Sequence, residues 1–349
     1  MVGSVMNDLG GEEDHQLRLP GIPDDYLGAV PPALVQPAIK YAGAKRWLPP
    51  LVLPRLHLHL ATVSGTYAEP FFGGGAMGLA IGWPKSVFSD SQPDLVNLYQ
   101  ALAIDPVQVS DALEDLGRRG TDVDTYYEIR REVWPEARHL FSQFEWAARV
   151  LYLNKCSFNG LFRVNRKGQF NVPWGDREGV ALQSREHLRA AGEVLARAEI
   201  RCADFGDVLA DLEARGDVDR LAVFADPPYG ATLPNVSTRG AIAGARGKVF
   251  TGYTTESFSW GDQVRLAAAL SQLARAGAVV VASNTWAPEI LALYRDDHEV
   301  FQVGVRHAVG ATGERRGRRA EMLAVSRRHA GIFDAAGADL KIARRKKGG

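Results

Sequence analysis

Seven apolar or β-branched runs of four to six residues, each closed by turn residues, recur at 66–69, 86–89, 198–203, 221–225, 278–282, 300–303 and 322–325. Runs so short and so apolar fit strands covered on both faces. Helical patterns alternate with most of them. In 262–276, Val264, Ala267, Leu270 and Leu273 repeat at near-helical spacing, and Gly277 follows where a left-handed C-cap belongs. Such alternation predicts an α/β fold on a parallel, doubly wound sheet. Over 101–190 the alternation stops. There 94–116, 124–137 and 141–155 read as helices, followed by an Asn/Gly-rich stretch. A mainly helical insertion in a sheet domain is the simplest reading.

The 349 residues are 46% apolar and 23% charged, enough to bury a core without covalent staples. Two cysteines, Cys156 and Cys202, exclude a disulfide scaffold and a four-cysteine zinc site, and they suit a reducing compartment. No apolar stretch approaches the roughly 20 residues that span a bilayer. The N-terminus lacks the basic-then-apolar pattern of a secretory signal. A soluble, cytoplasmic protein with neither membrane partner nor metal is expected. Charge balances, 41 Lys+Arg against 41 Asp+Glu, but unevenly. Residues 1–33 hold one basic and six acidic side chains, 149–177 six basic and one acidic, and 305–349 twelve basic and four acidic. Local basic surfaces suit a polyanionic partner, although a solvated face accounts for the charge as well. Residues 1–33 read as a disordered acidic leader and 329–349 as a flexible basic tail.

Two motifs carry chemistry. In the first, the strand at 66–69 runs into Glu69-Pro70-Phe71-Phe72-Gly73-Gly74-Gly75 and on through Gly78. Glycines after a strand permit a tight turn and let a ligand approach the backbone ahead of a helix N-terminus. Gly73, Gly75 and Gly78 spell G-x-G-x-x-G, and Asp90 ends the next strand, where an acid accepts ribose hydroxyls. That layout suits a nucleoside-containing cofactor, either a nicotinamide dinucleotide or S-adenosylmethionine. It also fits a plain glycine turn between packed elements. In the second motif, the strand at 221–225 ends in Asp226-Pro227-Pro228-Tyr229. A carboxylate, a rigid carbonyl and an aromatic ring then meet at the sheet edge where ligands bind. Two acceptors suit an amine, and the ring face suits a flat base.

These segments resemble the Dam-like class of adenine-N6 DNA methyltransferases. Lys40-Tyr41-Ala42-Gly43-Ala44-Lys45 is similar to that family's cofactor segment, with Tyr41 where Trp is usual. Asn159-Gly160-Leu161-Phe162-Arg163-Val164-Asn165, continuing to Phe170-Asn171-Val172-Pro173-Trp174-Gly175, is similar to its recognition block. Phe250-Thr251-Gly252-Tyr253-Thr254 and Arg306 with Arg319-Ala320-Glu321 fall where it has counterparts. The resemblance spans 37–326 in the family's motif order. Residues 231–249 read as an extended loop beside the site.

The resemblance implies a Rossmann-like S-adenosylmethionine-dependent methyltransferase fold with a mostly parallel seven-stranded sheet, 322–325 being its antiparallel member. The catalytic domain would comprise 34–100 and 191–328. The inserted target-recognition domain would comprise 101–190, with a hairpin near 156–175. Asp226, Pro227, Pro228 and Tyr229 become the catalytic turn. S-adenosylmethionine would be held by Tyr41, Lys45, Glu69, Pro70, Phe71, Gly73, Gly75, Asp90, Asp204, Phe205 and Asp226. Double-stranded DNA would meet Asn159, Arg163, Asn165, Arg166, Lys167, Gln169 and Asn171. Asp204 also reads as a helix N-cap, and the Asn/Gly/Arg block as a loop that closes the domain.

The implied reaction is site-specific methylation of an adenine flipped out of the duplex. Asp226 and the Pro227 carbonyl would accept the amine's two N–H bonds and draw its nitrogen toward tetrahedral geometry. Cytosine N4, an RNA adenine and a glutamine amide are rival acceptors. Ser or Asn is more usual at the first position for the cytosine and glutamine enzymes, so Asp226 favours adenine. A nicotinamide-dependent oxidoreductase would need a general acid–base histidine, and none of the eight histidines has motif context. An intact Asp-Pro-Pro-Tyr opposes a DNA-binding protein without catalysis. A cognate restriction endonuclease, and a monomer or a DNA-bound dimer, are compatible with the reading.

Overall fold

A computed structural model describes residues 35–41, 48–165, 167–229, 258–306, 318–331 and 341–342. The acidic leader, Lys45, Arg166, the 231–249 loop and 250–254 lie outside the described residues. Strands β1 (Thr66–Glu69), β2 (Ser86–Asp90), β3 (Ala198–Cys202), β4 (Leu221–Ala225) and β5 (Val279–Thr285) are parallel, in spatial order β3-β2-β1-β4-β5. Beyond β5, β7 (Arg318–Ser326) runs antiparallel both to β5 and to β6 (His298–Arg306). The antiparallel strand expected at 322–325 is therefore β7. A two-residue β8 (Lys341–Ile342), within the stretch expected as a flexible tail, pairs with β6.

Every residue of β4 is buried because helices cover both sheet faces. Side chains alternate between those faces. Ala222 and Phe224 join one core with α1 (Pro49–Val63), α2 (Ala76–Ile81), α3 (Pro93–Ile104) and α7 (Arg185–Leu195). Leu221, Val223 and Ala225 join the other, with α8 (Phe205–Ala214), α9 (Trp260–Ala276) and α10 (Pro288–Tyr294). Helix α9 starts at a capping box between Ser259 and Asp262, and it stops at Gly277 with φ of 112°. Its buried stripe runs through Gln263, Leu266, Leu270 and Leu273, whereas Val264, expected inside, is exposed. Ala267, Leu270 and Leu273 are buried as the spacing predicts.

The helix expected over 94–116 is two helices, α3 and α4 (Pro106–Arg119). Pro106 cannot donate a backbone N–H, and Asp105 instead caps the new helix by accepting from the Val107 and Gln108 amides. Helix α5 (Val123–Glu132) likewise stops short of 137, and a 3-10 turn over Pro135–Leu140 follows. Helix α6 (Gln143–Cys156) completes the helical block. Val109 of α4, Ile129 of α5 and Trp146 of α6 share one core with Tyr99 of α3 and Phe88 of the sheet. Cuts at 100/101 and 190/191 fall inside α3 and α7. No helix among the described residues is long and apolar enough to cross a membrane.

Candidate active site at the carboxyl edge of the sheet

The chain leaves β1 toward β2 on one side and returns to β4 on the other, so β1 and β4 flank a topological switch point. Ligands of doubly wound sheets bind in the crevice beyond the carboxyl ends at that point. Four acids stand at those ends: Glu69 on β1, Asp90 on β2, Asp204 after β3 and Asp226 after β4.

The glycine turn is pinned from several sides. The Gly73 amide donates to Asp90 Oδ2 at 2.8 Å, the Gln92 amide donates to Asp90 Oδ1 at 2.9 Å, and Tyr99 Oη donates to the Gly73 carbonyl at 2.5 Å. Gly75 takes φ of 72°, which a side chain would strain. A Cβ on Gly78 would lie 2.6 Å from the Phe72 and Phe88 rings, so only glycine lets α2 approach β2 this closely. Tyr41 lies over the turn, within 3.1 Å of where a Gly73 Cβ would stand. Glu69 is buried and accepts from Tyr67 Oη at 3.2 Å. Burial raises its carboxyl well above the usual range; the Tyr67 bond opposes this, and Asp226 and Asp90 reinforce it. Burial also raises the Asp90 carboxyl, against the backbone amides it accepts.

Strand β4 delivers Asp226 half-buried, Pro227 buried, Pro228 exposed and Tyr229 half-buried. Tyr229 Oη donates to Asp226 Oδ1 at 2.8 Å, and Ser283 Oγ donates to the same oxygen at 2.7 Å. Burial and the adjacent Asp226 push the Tyr229 phenol well above 10, so it remains a donor. The Pro228 carbonyl accepts from Gln263 Nε2 at 3.3 Å.

Asp204 caps α8 by accepting the Gly206 amide at 2.9 Å, as the capping reading requires, and it also accepts from Arg265 Nη2 at 2.5 Å. Arg265 lies over the Phe205 ring, 4.8 Å from its centroid. Phe205 stacks on Phe71 with centroids 5.2 Å apart, and Phe258 meets both rings. Tyr99, Phe258, Arg265, Gln263 and Ser283 were not singled out by sequence. Each belongs to the site by contact across the fold, with no local motif around it.

The segment at 157–174 is an antiparallel hairpin bridged at Ser157 with Trp174 and at Val164 with Phe170. Phe162, Val164, Phe170 and Val172 point into the core, whereas Arg163 and Asn171, which alternate with them, are more exposed. Asn165 Oδ1 accepts the Lys167 and Gln169 amides and so shapes the tip. Arg163 Nε donates across the hairpin to Asn171 Oδ1 at 2.5 Å. Asn159 and Lys167 are exposed, as is the large Phe158 ring. The structure thus brings Asp226 and Asp90 close to Glu69, and Phe71 onto Phe205. Arg163, Asn165 and Asn171 it engages within the hairpin itself.

A family model described as D12 class N6 adenine-specific DNA methyltransferase matches residues 41–309. The type II methyltransferase M1.LlaDCHI of Lactococcus lactis subsp. cremoris is 31% identical over 289 residues, 83% of this chain and 94% of that protein. The retron Ec67 DNA adenine methylase of Escherichia coli is 30% identical over 288 residues, covering 82% and 90%. The DNA adenine methylase of Vibrio cholerae serotype O1 is 28% identical over 293 residues, covering 83% and 96%.

Proposed function

The chain belongs to the D12 class of N6 adenine-specific DNA methyltransferases, and on that premise we propose that its switch-point crevice binds S-adenosylmethionine while the Asp226 turn receives an adenine flipped out of duplex DNA. Family membership makes it an enzyme that methylates adenine N6 in DNA. The readings as a cytosine or RNA methyltransferase, an oxidoreductase or an inactive binder fall away with it. One observation carries the rest: a carboxylate fixed by two hydroxyls beside an acid-lined glycine turn.

Asp90 and Asp226 crowd Glu69 closely enough to raise its carboxyl further, and a ligand bearing a sulfonium and an ammonium relieves that crowding, whereas the pyrophosphate of a dinucleotide would add to it. When bound, S-adenosylmethionine supplies an electrophilic methyl group. Asp90 accepts ribose hydroxyls with capacity beyond its backbone bonds. The stacked Phe71–Phe205 pair offers an apolar wall to the cofactor adenine, Asp204 an acceptor to its amine, and Tyr41, Lys45, Pro70, Gly73 and Gly75 line the remainder.

Asp226 and the Pro227 carbonyl hold the two N–H bonds of the target amine and direct its lone pair outward from the turn. A carboxylate beside developing positive charge stabilises the transition state. Flipping costs a few kcal/mol, and stacking on Tyr229, about 1–3 kcal/mol, offsets part of it. The hairpin carries Asn159, Arg163, Asn165, Arg166, Lys167, Gln169 and Asn171 toward DNA, with α4–α6 as its base. A cytoplasmic enzyme is the reading that fits this substrate. A restriction endonuclease reading the same site would be its natural counterpart, because one relative is a type II methyltransferase.

Calorimetric titration tests the cofactor assignment. S-adenosylmethionine should bind saturably, and Asp90→Ala should weaken it, while NAD should not compete. Competition by NAD would overturn the assignment.

A further inference from the structure

We propose that β5 clamps the catalytic turn from both faces of the sheet through the adjacent residues Ser283 and Asn284, and that Ser283 is a positioning residue for methyl transfer. The proposal rests on the reading that Asp226 holds the target amine.

Strand β5 pairs with β4 in parallel, Ala225 opposite Ala282, so Ser283 stands level with Asp226. Successive side chains on a strand point to opposite faces. Ser283 reaches Asp226 Oδ1 at 2.7 Å on one face. On the other, Asn284 Nδ2 donates to Gln263 Oε1 at 2.9 Å, and Gln263 Nε2 donates to the Pro228 carbonyl at 3.3 Å. The Asp-Pro-Pro-Tyr turn is therefore gripped directly at its first residue and, through α9, at its third.

All three side chains are buried: Ser283 is 2% exposed, and Asn284 and Gln263 are 0% exposed. Burying polar groups costs free energy unless they are paired, and the β5 residues before them are valine and alanine. Ser283 and Gln263 pair with the turn, and Asn284 pairs with Gln263 and, through Oδ1, with the Thr285 amide at 2.8 Å. Tyr229 Oη and Ser283 Oγ converge on one oxygen of Asp226. Rotation of the carboxylate would break both bonds together, so its orientation is held before an amine arrives. Misplacement by about 1 Å costs on the order of 100-fold in rate.

The test is single-turnover methylation of unmethylated genomic DNA with saturating labelled S-adenosylmethionine, read beside cofactor affinity and thermal melting. Ser283→Ala should lower the rate by about 10- to 100-fold. Cofactor affinity should stay within about threefold, under 1 kcal/mol. Ser283→Thr, which keeps the hydroxyl, should recover most of the loss. Combined with Tyr229→Phe, Ser283→Ala should lower the rate by less than the product of the single effects, because both hydroxyls hold one oxygen. A purely structural serine would move melting and leave that coupling absent. Should Ser283→Ala not fold, Ser283→Cys keeps the shape with only a weak donor and should still slow transfer. Native rates in folded Ser283→Ala or Ser283→Cys, or strictly multiplicative effects, would overturn the clamp alone. Native protein that binds cofactor yet labels no adenine would overturn the reading beneath it and the clamp with it.

Discussion

Replacing Asp226 by alanine separates catalysis from cofactor binding. The carboxylate accepts two hydroxyls, from half-buried Tyr229 and buried Ser283. Tyr229 can turn to water once released, but Ser283 cannot, so the folded state should lose about 1–3 kcal/mol, the cost of one stranded buried donor. The rate should suffer far more. A single preorganised polar group at a developing charge contributes about 2.7–4 kcal/mol, or 100- to 1,000-fold. In the proposed mechanism Asp226 both orients the amine and faces its charge, so the fall should reach at least about 1,000-fold. Cofactor affinity should move by less than about tenfold, 1.4 kcal/mol, because the glycine turn and Asp90 keep their own bonds. The assay pairs single-turnover label transfer to DNA with calorimetry of cofactor binding on the same preparation. A variant that binds cofactor and methylates within about tenfold of native would refute the assignment of Asp226.

Other expected outcomes follow from the same geometry. Asp90→Ala leaves the Gly73 and Gln92 amides without their acceptor, and cofactor Kd should rise by about tenfold or more; an unchanged Kd in calorimetry would contradict that role. Gly78→Ala places a methyl 2.6 Å from Phe72 and Phe88, so urea unfolding should show a loss of about 1–3 kcal/mol. Burial lowers His298 from 6.5 to about 4, so the folded state resists a proton that the unfolded chain accepts. Its contribution is complete above pH 6.5 and lost as pH falls toward 4, by about 3 kcal/mol at 1.36 kcal/mol per unit. His298→Phe should flatten the melting-temperature slope over that interval, and an unchanged slope would assign the titration elsewhere.

Strand β4 was legible because, short and buried on both faces, it leaves an uninterrupted apolar run, and β1 and β4 fall where 66–69 and 221–225 place them; β3, expected at 198–203 as a buried strand, lies at the sheet edge with Glu199 and Cys202 exposed. The two motifs were legible for the same reason: Asp226 and the glycines follow those runs directly. What escaped lies where periodicity misleads. Apolar content continues across Asp105-Pro106, yet the proline splits the helix there. The apolar run of β5 closes before Ser283, but the strand continues through Thr285, because its last residues are polar while still buried. Gln263, between Asp262 and Val264, has the look of a solvent-facing helix residue and is fully buried, whereas Val264 is exposed. The Arg265–Asp204 pair joins positions 61 apart in the chain, a contact that only the fold brings about. Arg163 and Asn171 likewise read as side chains for DNA, and their bond across the hairpin appears only once the two strands are paired.

Transfer of label from S-adenosylmethionine to unmethylated duplex DNA, with the DNA then hydrolysed to nucleosides, tests the central claim most directly. Label in N6-methyldeoxyadenosine, absent from a parallel reaction with Asp226→Ala, is the predicted result. Label in N4-methyldeoxycytidine, or equal labelling by the variant, would contradict it.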